Sequence, residues 1–156
     1  MSFTWLNSPV SDYLPVKQVY GIVFSDDGRI LLRIEDGKYK LTGGKPEQGE
    51  SFEETLKREY IEELNTIVED IHYLGYLLVK ENDIQYAQVR MIAKIKSIKE
   101  SHTDPATGKL YGRELVPITK VKDLLNYADE AGNTMLDEAI ALAKEVYTFS
   151  CFSDGF

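Results

Sequence analysis

Residues 43–66, GGKPEQGESFEETLKREYIEELNT, constrain the fold more than any other part of the chain. Ser51 followed by Glu54 forms a capping box, in which each side chain satisfies the other residue's backbone N–H, so a helix is expected over 51–64. Phe52, Leu56, Tyr60 and Leu64 recur at four-residue steps and make an apolar stripe for packing on a core. With Glu59 as origin, the stripe spans roughly 20° to 140° around the axis, and Glu62, Glu59 and Glu63 fall at about −60°, 0° and 40°. The acidic arc therefore abuts the buried side, whereas a helix that needed only solubility carries its charge opposite the stripe. Three anions on one face repel unless a positive group lies between them. Carboxylate oxygen is the ligand that hard divalent cations prefer, so a metal site explains the crowding. A solvated acidic face is the competing reading.

Around this helix the sequence supplies supporting groups. Gly43 and Gly44 end the preceding segment and let backbone approach a neighbour or a ligand closely. Arg58 follows Glu54 by four residues and precedes Glu62 by four. It either supports the helix or holds a ligand carboxylate in place, and both roles are compatible.

Length and composition exclude several classes. At 156 residues, one domain with a sizeable core is expected. A net charge of −8 argues against general affinity for nucleic acid or anionic membrane. The single cysteine, Cys151, excludes an internal disulfide and suits a reducing cytoplasm. No signal peptide or membrane-spanning run is visible.

The rest of the chain reads as strands and helices in alternation. Residues 1–15 form an N-terminal arm, 16–147 the domain and 148–156 a tail expected to dock loosely on the surface. Strands are expected over 16–24, 29–34 and 39–41, with turns at Asp27-Gly28 and Asp36-Gly37. Further strands are expected over 71–79 and 85–98, joined at Glu81-Asn82-Asp83, and over 115–118. Residues 99–112 make a long polar loop, the kind that carries function. A short helical piece over 121–125 and an amphipathic helix over 134–147, with Thr134 and Asp137 at its start, complete the pattern. This order fits a mixed sheet covered on both faces, an α/β architecture.

The signature stretch resembles that of the Nudix hydrolases, G-x5-E-x7-R-E-U-x-E-E-x-G-U with U a bulky apolar residue. Gly44, Glu50, Arg58, Glu59, Glu62 and Glu63 all match. Six such matches arise by chance about once in ten million starts, so the motif is specific. Asn65 stands where the family has Gly, and Asn is the next best residue for a left-handed helix cap. Thr66 and Tyr60 stand at the U positions, and Thr42 where many members have Pro. The resemblance implies the Nudix-type α/β/α sandwich with a mixed β-sheet.

It also implies hydrolysis of a diphosphate linkage with Mg²⁺ or Mn²⁺ held by Glu59, Glu62 and Glu63, the Gly43 carbonyl adding a ligand. Gly44 and Glu50 would support the site, and Arg58 would orient its carboxylates. Glu114 is the first candidate for general base, with Glu100 and Asp104 as rivals and Glu62 or Glu63 as a base from the helix itself. Tyr39, Lys40 and Lys45 are candidate substrate contacts. His72 and His102 are expected to be surface or structural. A nucleoside triphosphate is the default substrate. ADP-ribose or a nucleotide sugar is the main alternative, and a non-catalytic nucleotide-binding regulator on the same fold is another. The expected partner is a small-molecule nucleotide, with a homodimer left open.

Overall fold

The computed structural model describes residues 1–127 and 129–150. Eight strands form one sheet: β1 (Ser2–Leu6), β2 (Val16–Phe24), β3 (Ile30–Glu35), β4 (Lys38–Lys40), β5 (Gly43–Gly44), β6 (Thr66–Glu81), β7 (Ile84–Ile98) and β8 (Gly112–Val116). Among the described residues the helices are α1 (Phe52–Leu64), α2 (Ile118–Leu124) and α3 (Glu130–Val146). The strand order is β1-β6-β7-β2-β3-β4, with β5 beside β2 and β8 beside β3. β2 and β7 run parallel while the other pairs are antiparallel, so the sheet is mixed.

The central strands are buried on both faces, which is why VKQVYGIVF reads as a nearly continuous apolar run. Ile22 and Phe24 face a core closed by Met135, Leu136, Ala139 and Ala143 of α3. Val19 and Val23 point the other way, against Leu56, Tyr60 and Leu64 of α1. Period-two alternation in β2 thus builds an α/β/α sandwich. β2 and β3 meet at Phe24↔Ile30 and then diverge, and the Gly43-Gly44 pair fills the gap beside Val19 and Tyr20.

Several expected boundaries shift. Residues 2–6 of the N-terminal arm form β1 along β6, from Ser2↔Lys80 to Leu6↔Tyr76. β6 begins at Thr66, straight after α1, because the polar Glu69-Asp70 stretch is absorbed as a bulge with Asp70 at φ 52°. α3 starts four residues before Thr134, capped by Asp129, whose side chain accepts from the Gly132 amide. β8 lies over 112–116 instead of 115–118, and α2 begins at Ile118, directly after Pro117. Phe149, in the tail, packs on Phe24 and Tyr147. The expectations for residues 151–156, Cys151 included, lie outside the described residues. Among the described residues no helix is long and apolar enough to cross a membrane.

Candidate functional site

Helix α1 is fixed at both ends. Ser51 and Glu54 form the reciprocal capping box, at 3.0 and 3.1 Å. Asn65 closes the C-terminus at φ 45° and donates its amide to the Ile61 carbonyl. Between these caps the buried stripe holds Leu56, Tyr60 and Leu64, and the glutamates follow along its edge. Glu54 closes the cap and does not pair with Arg58.

Arg58 organises the acidic face. Its Nε and Nη2 donate to the two Glu50 oxygens at 2.6 and 3.0 Å, and Nη2 also reaches the Lys45 carbonyl. Its Nη1 donates to Glu59 at 2.9 Å and to Glu62 at 3.3 Å. Glu50 also accepts from the Glu47 amide and the Thr55 hydroxyl. The Arg58 guanidinium holds Glu50 ionised down to about pH 2. The positive group between Glu59 and Glu62 is therefore an arginine from the same helix.

Glu63 lies deeper, with 8% of its side chain exposed and Arg33 Nη1 2.9 Å from its Oε2. Burial pushes its carboxyl up to about 7, with Glu59 and Asp104 adding in the same direction and Arg33 opposing. Glu59 is also raised, again chiefly by burial. Both glycines of the pair lie in close contact with neighbours, Gly43 against backbone and Gly44 against a side-chain end. A Cβ on Gly43 would strike the Val19 carbonyl, and one on Gly44 would strike the Glu59 carboxylate.

Gly43, Lys45, Arg58, Glu59, Glu62 and Glu63 line one cleft of about 610 Å³, and Asp104 from the long loop closes its far wall. Asp104 is 2% exposed. Its backbone bonds to Lys109 and Gly108, and its Oδ1 accepts from the Ala106 amide at 2.8 Å. The loop itself is fastened to α1. Asn65 Nδ2 donates to the Glu100 carbonyl, His102 donates to the Ile61 carbonyl, and Arg113 bridges the Leu64 and Lys99 carbonyls.

Other sequence candidates lie elsewhere. Glu114 is exposed and sits opposite Leu32 in the sheet, on the face turned away from α1. Its carboxylate accepts from the Tyr39 hydroxyl at 3.1 Å, and it does not line the acidic cleft. Glu100 contributes its carbonyl to the loop anchor. Tyr39 and Lys40 line a second cavity of about 310 Å³, together with Tyr20, Arg33, Gln88, Arg90 and Tyr127. Lys40 is held at its rim by Glu35. His72 pairs with Asp70 on the surface.

The donor chemistry suits a hard divalent cation. Five carboxylates, from Glu47, Glu59, Glu62, Glu63 and Asp104, line one cleft, and the buried Glu63 Oε2 has the Arg33 ion pair but no well-formed hydrogen bond. Among the described residues, no three of these side chains converge as a ready-made cage. Arg58 and Arg33 stand between them as counterions.

A mixed-sheet sandwich with a glutamate-lined cleft along its first helix is the arrangement of the Nudix hydrolases. The chain belongs to the NUDIX domain family, whose model matches residues 15–135. Its structure is similar to that of the Bacillus subtilis pyrophosphohydrolase BsRppH, at 22% identity and TM-score 0.72, covering 94% of this chain and 92% of that one. A MutT structure from work on Aliivibrio salmonicida and Vibrio cholerae aligns at 22% identity and TM-score 0.59, covering 82% and 98%. A NUDIX hydrolase from Nitrosomonas europaea aligns at 19% identity and TM-score 0.61, covering 81% and 89%. Comparison with curated protein sequences finds no match.

Proposed function

We propose that this Nudix hydrolase is a divalent-metal-dependent pyrophosphohydrolase, with a nucleoside triphosphate as substrate. The observation that carries the reading is the meeting of Glu59, Glu62, Glu63 and Asp104 around one cleft in a family member whose signature carboxylates are all present. Glu59, Glu62 and Glu63, with the Gly43 carbonyl, would hold Mg²⁺ or Mn²⁺. When bound, the ion neutralises diphosphate oxygens and lowers the pKa of water.

The remaining work falls to this chain's own side chains. Arg58, clamped by Glu50, fixes Glu59 and Glu62 in rotamer. Asp104 is the proton acceptor for the attacking water, since it lines the same cleft and keeps a carboxylate oxygen beyond its bond to Ala106. Glu114 is set aside from this role because it lies on the other face of the sheet. Lys45 meets phosphate charge at the cleft, and Tyr39 and Lys40 contact the rest of the substrate in the second cavity.

A second reading, a pyrophosphatase of ADP-ribose or a nucleotide sugar, draws on that same cavity, which has volume for a second substituent. Release of phosphate, pyrophosphate or nucleoside monophosphate from a nucleotide panel, with and without Mg²⁺, tests both. Turnover that needs Mg²⁺ and favours triphosphates is expected. Preference for ADP-ribose selects the second reading, and binding without turnover on any substrate overturns both in favour of a regulator.

A further inference from the structure

Arg90 is the least explained charge in the molecule. It projects from the middle of β7, opposite Tyr20 of β2, and is 5% exposed. Its guanidinium carbon lies 4.7 Å from the centre of the Tyr20 ring. Nη1 makes long bonds of 3.4 and 3.5 Å to carbonyls of its own strand, and Nε has no partner. The neighbours that stabilise its charge are the tyrosines Tyr127 and Tyr20, and no carboxylate pairs with it among the described residues. Arginine does not deprotonate in proteins, and a buried charge without a counterion is strongly unfavourable.

Arg90 lines the second cavity with Arg33 and Lys40, and among the described residues none that lines it is acidic. Arg33 also carries an unpartnered Nε. Lys40 and Arg33 are paired from outside the cavity by Glu35 and Glu63, which leaves Arg90 as the cation of the three with no carboxylate partner among the described residues. The cavity neighbours the acidic cleft through Arg33. Arg33 contacts Glu63 on one side and lines the cavity on the other, while Leu41 lines the cavity and Gly43 the cleft, two residues on.

We propose that the Arg33–Lys40–Arg90 cavity is an oxyanion-binding subsite that takes the phosphate-type group of the substrate's phosphate chain that the glutamate cleft does not itself hold. Arg90 supplies the buried donor, Lys40 the charge at the rim, and Tyr20 the surface that keeps the guanidinium in plane. The proposal deepens the pyrophosphohydrolase reading and rests on it for the origin of the anion, but the binding site itself is testable without turnover.

The test uses the full-length ¹⁵N-labelled protein in chelator, observing the Arg90 and Arg33 Nε–Hε resonances. Inorganic phosphate, AMP and adenosine are the probes. Saturable shifts at both arginines are expected with phosphate and AMP, AMP binding about tenfold tighter, and no shift with adenosine. Lys40→Met, a surface change, should weaken AMP binding about tenfold, the loss of one charge-assisted contact. Arg90→Gln should abolish the Arg33 shift, with circular dichroism reporting its fold. Equal shifts with adenosine would make the cavity a base pocket and overturn the proposal. Phosphate binding as tightly as AMP would overturn the substrate-borne origin. Absence of saturable shifts overturns the site while leaving hydrolysis of nucleotides intact as a separate finding.

Discussion

Arg33 Nη1 stands 2.9 Å from Glu63 Oε2, an ion pair that ties β3 to α1 across the floor of the acidic cleft. It gives Glu63 a counterion inside the protein and raises a direct question of what that carboxylate contributes. Glu63→Gln should lower metal-dependent turnover at least about a hundredfold, the scale of losing a buried electrostatic contact in a reacting site. The circular dichroism spectrum should be unchanged, because helix length and stripe are preserved. Turnover near that of the unaltered protein would remove Glu63 from the site.

The raised Glu63 carboxyl also predicts a pH dependence of stability. Between its ordinary 4.5 and about 7 the folded protein binds more protons here than the unfolded chain does. Stability in chelator should therefore fall as pH rises through that window, and Glu63→Gln should flatten the slope. Glu50 acts in the opposite sense. Held down to about 2, it adds stability that is lost as pH falls from 4.5 toward 2. Urea midpoints measured from pH 3 to 8 in both proteins check the two signs.

The glycine pair separates folding from metal binding. Gly43→Ala drives a methyl into the Val19 carbonyl, a backbone atom, and should cost about 1–3 kcal/mol of stability. Gly44→Ala meets only the end of the Glu59 side chain, which can rotate away. It should fold normally and bind Mn²⁺ about 10–100-fold more weakly, measured by calorimetry.

Asp104→Asn should reduce kcat about 10²–10⁴-fold with little change in KM, as expected for loss of a general base. Glu114→Gln should change kcat little, since its carboxylate binds the Tyr39 hydroxyl on the far face. The reverse ranking in steady-state assays returns the role to Glu114.

Much of the site was legible because it is local. The capping box, the apolar stripe and the acidic arc all lie within one helix, where spacing alone sets direction. The Asn65 cap followed from its tolerance of left-handed backbone, and the structure has it at φ 45°. What the sequence did not disclose depends on distant strands. On paper Glu114 came first and Asp104 was a rival, and it is the loop anchors and the register with Leu32 that put Asp104 and not Glu114 beside the glutamates. Arg33 and Arg90 were not singled out from the sequence. A cation inside QVRMIA, a run otherwise apolar enough for two-sided burial, was the available signal. β1 was hidden because five residues carry too short an alternation to announce a strand.

The long loop grips the last turn of α1 through Asn65, His102 and Arg113. The loop and helix that line the glutamate cleft are thus parts of a single fastened body, and the distance between Asp104 and the helix carboxylates is set by the helix terminus. Changing the loop to alter substrate choice will displace Asp104 unless those three clasps are carried over with it.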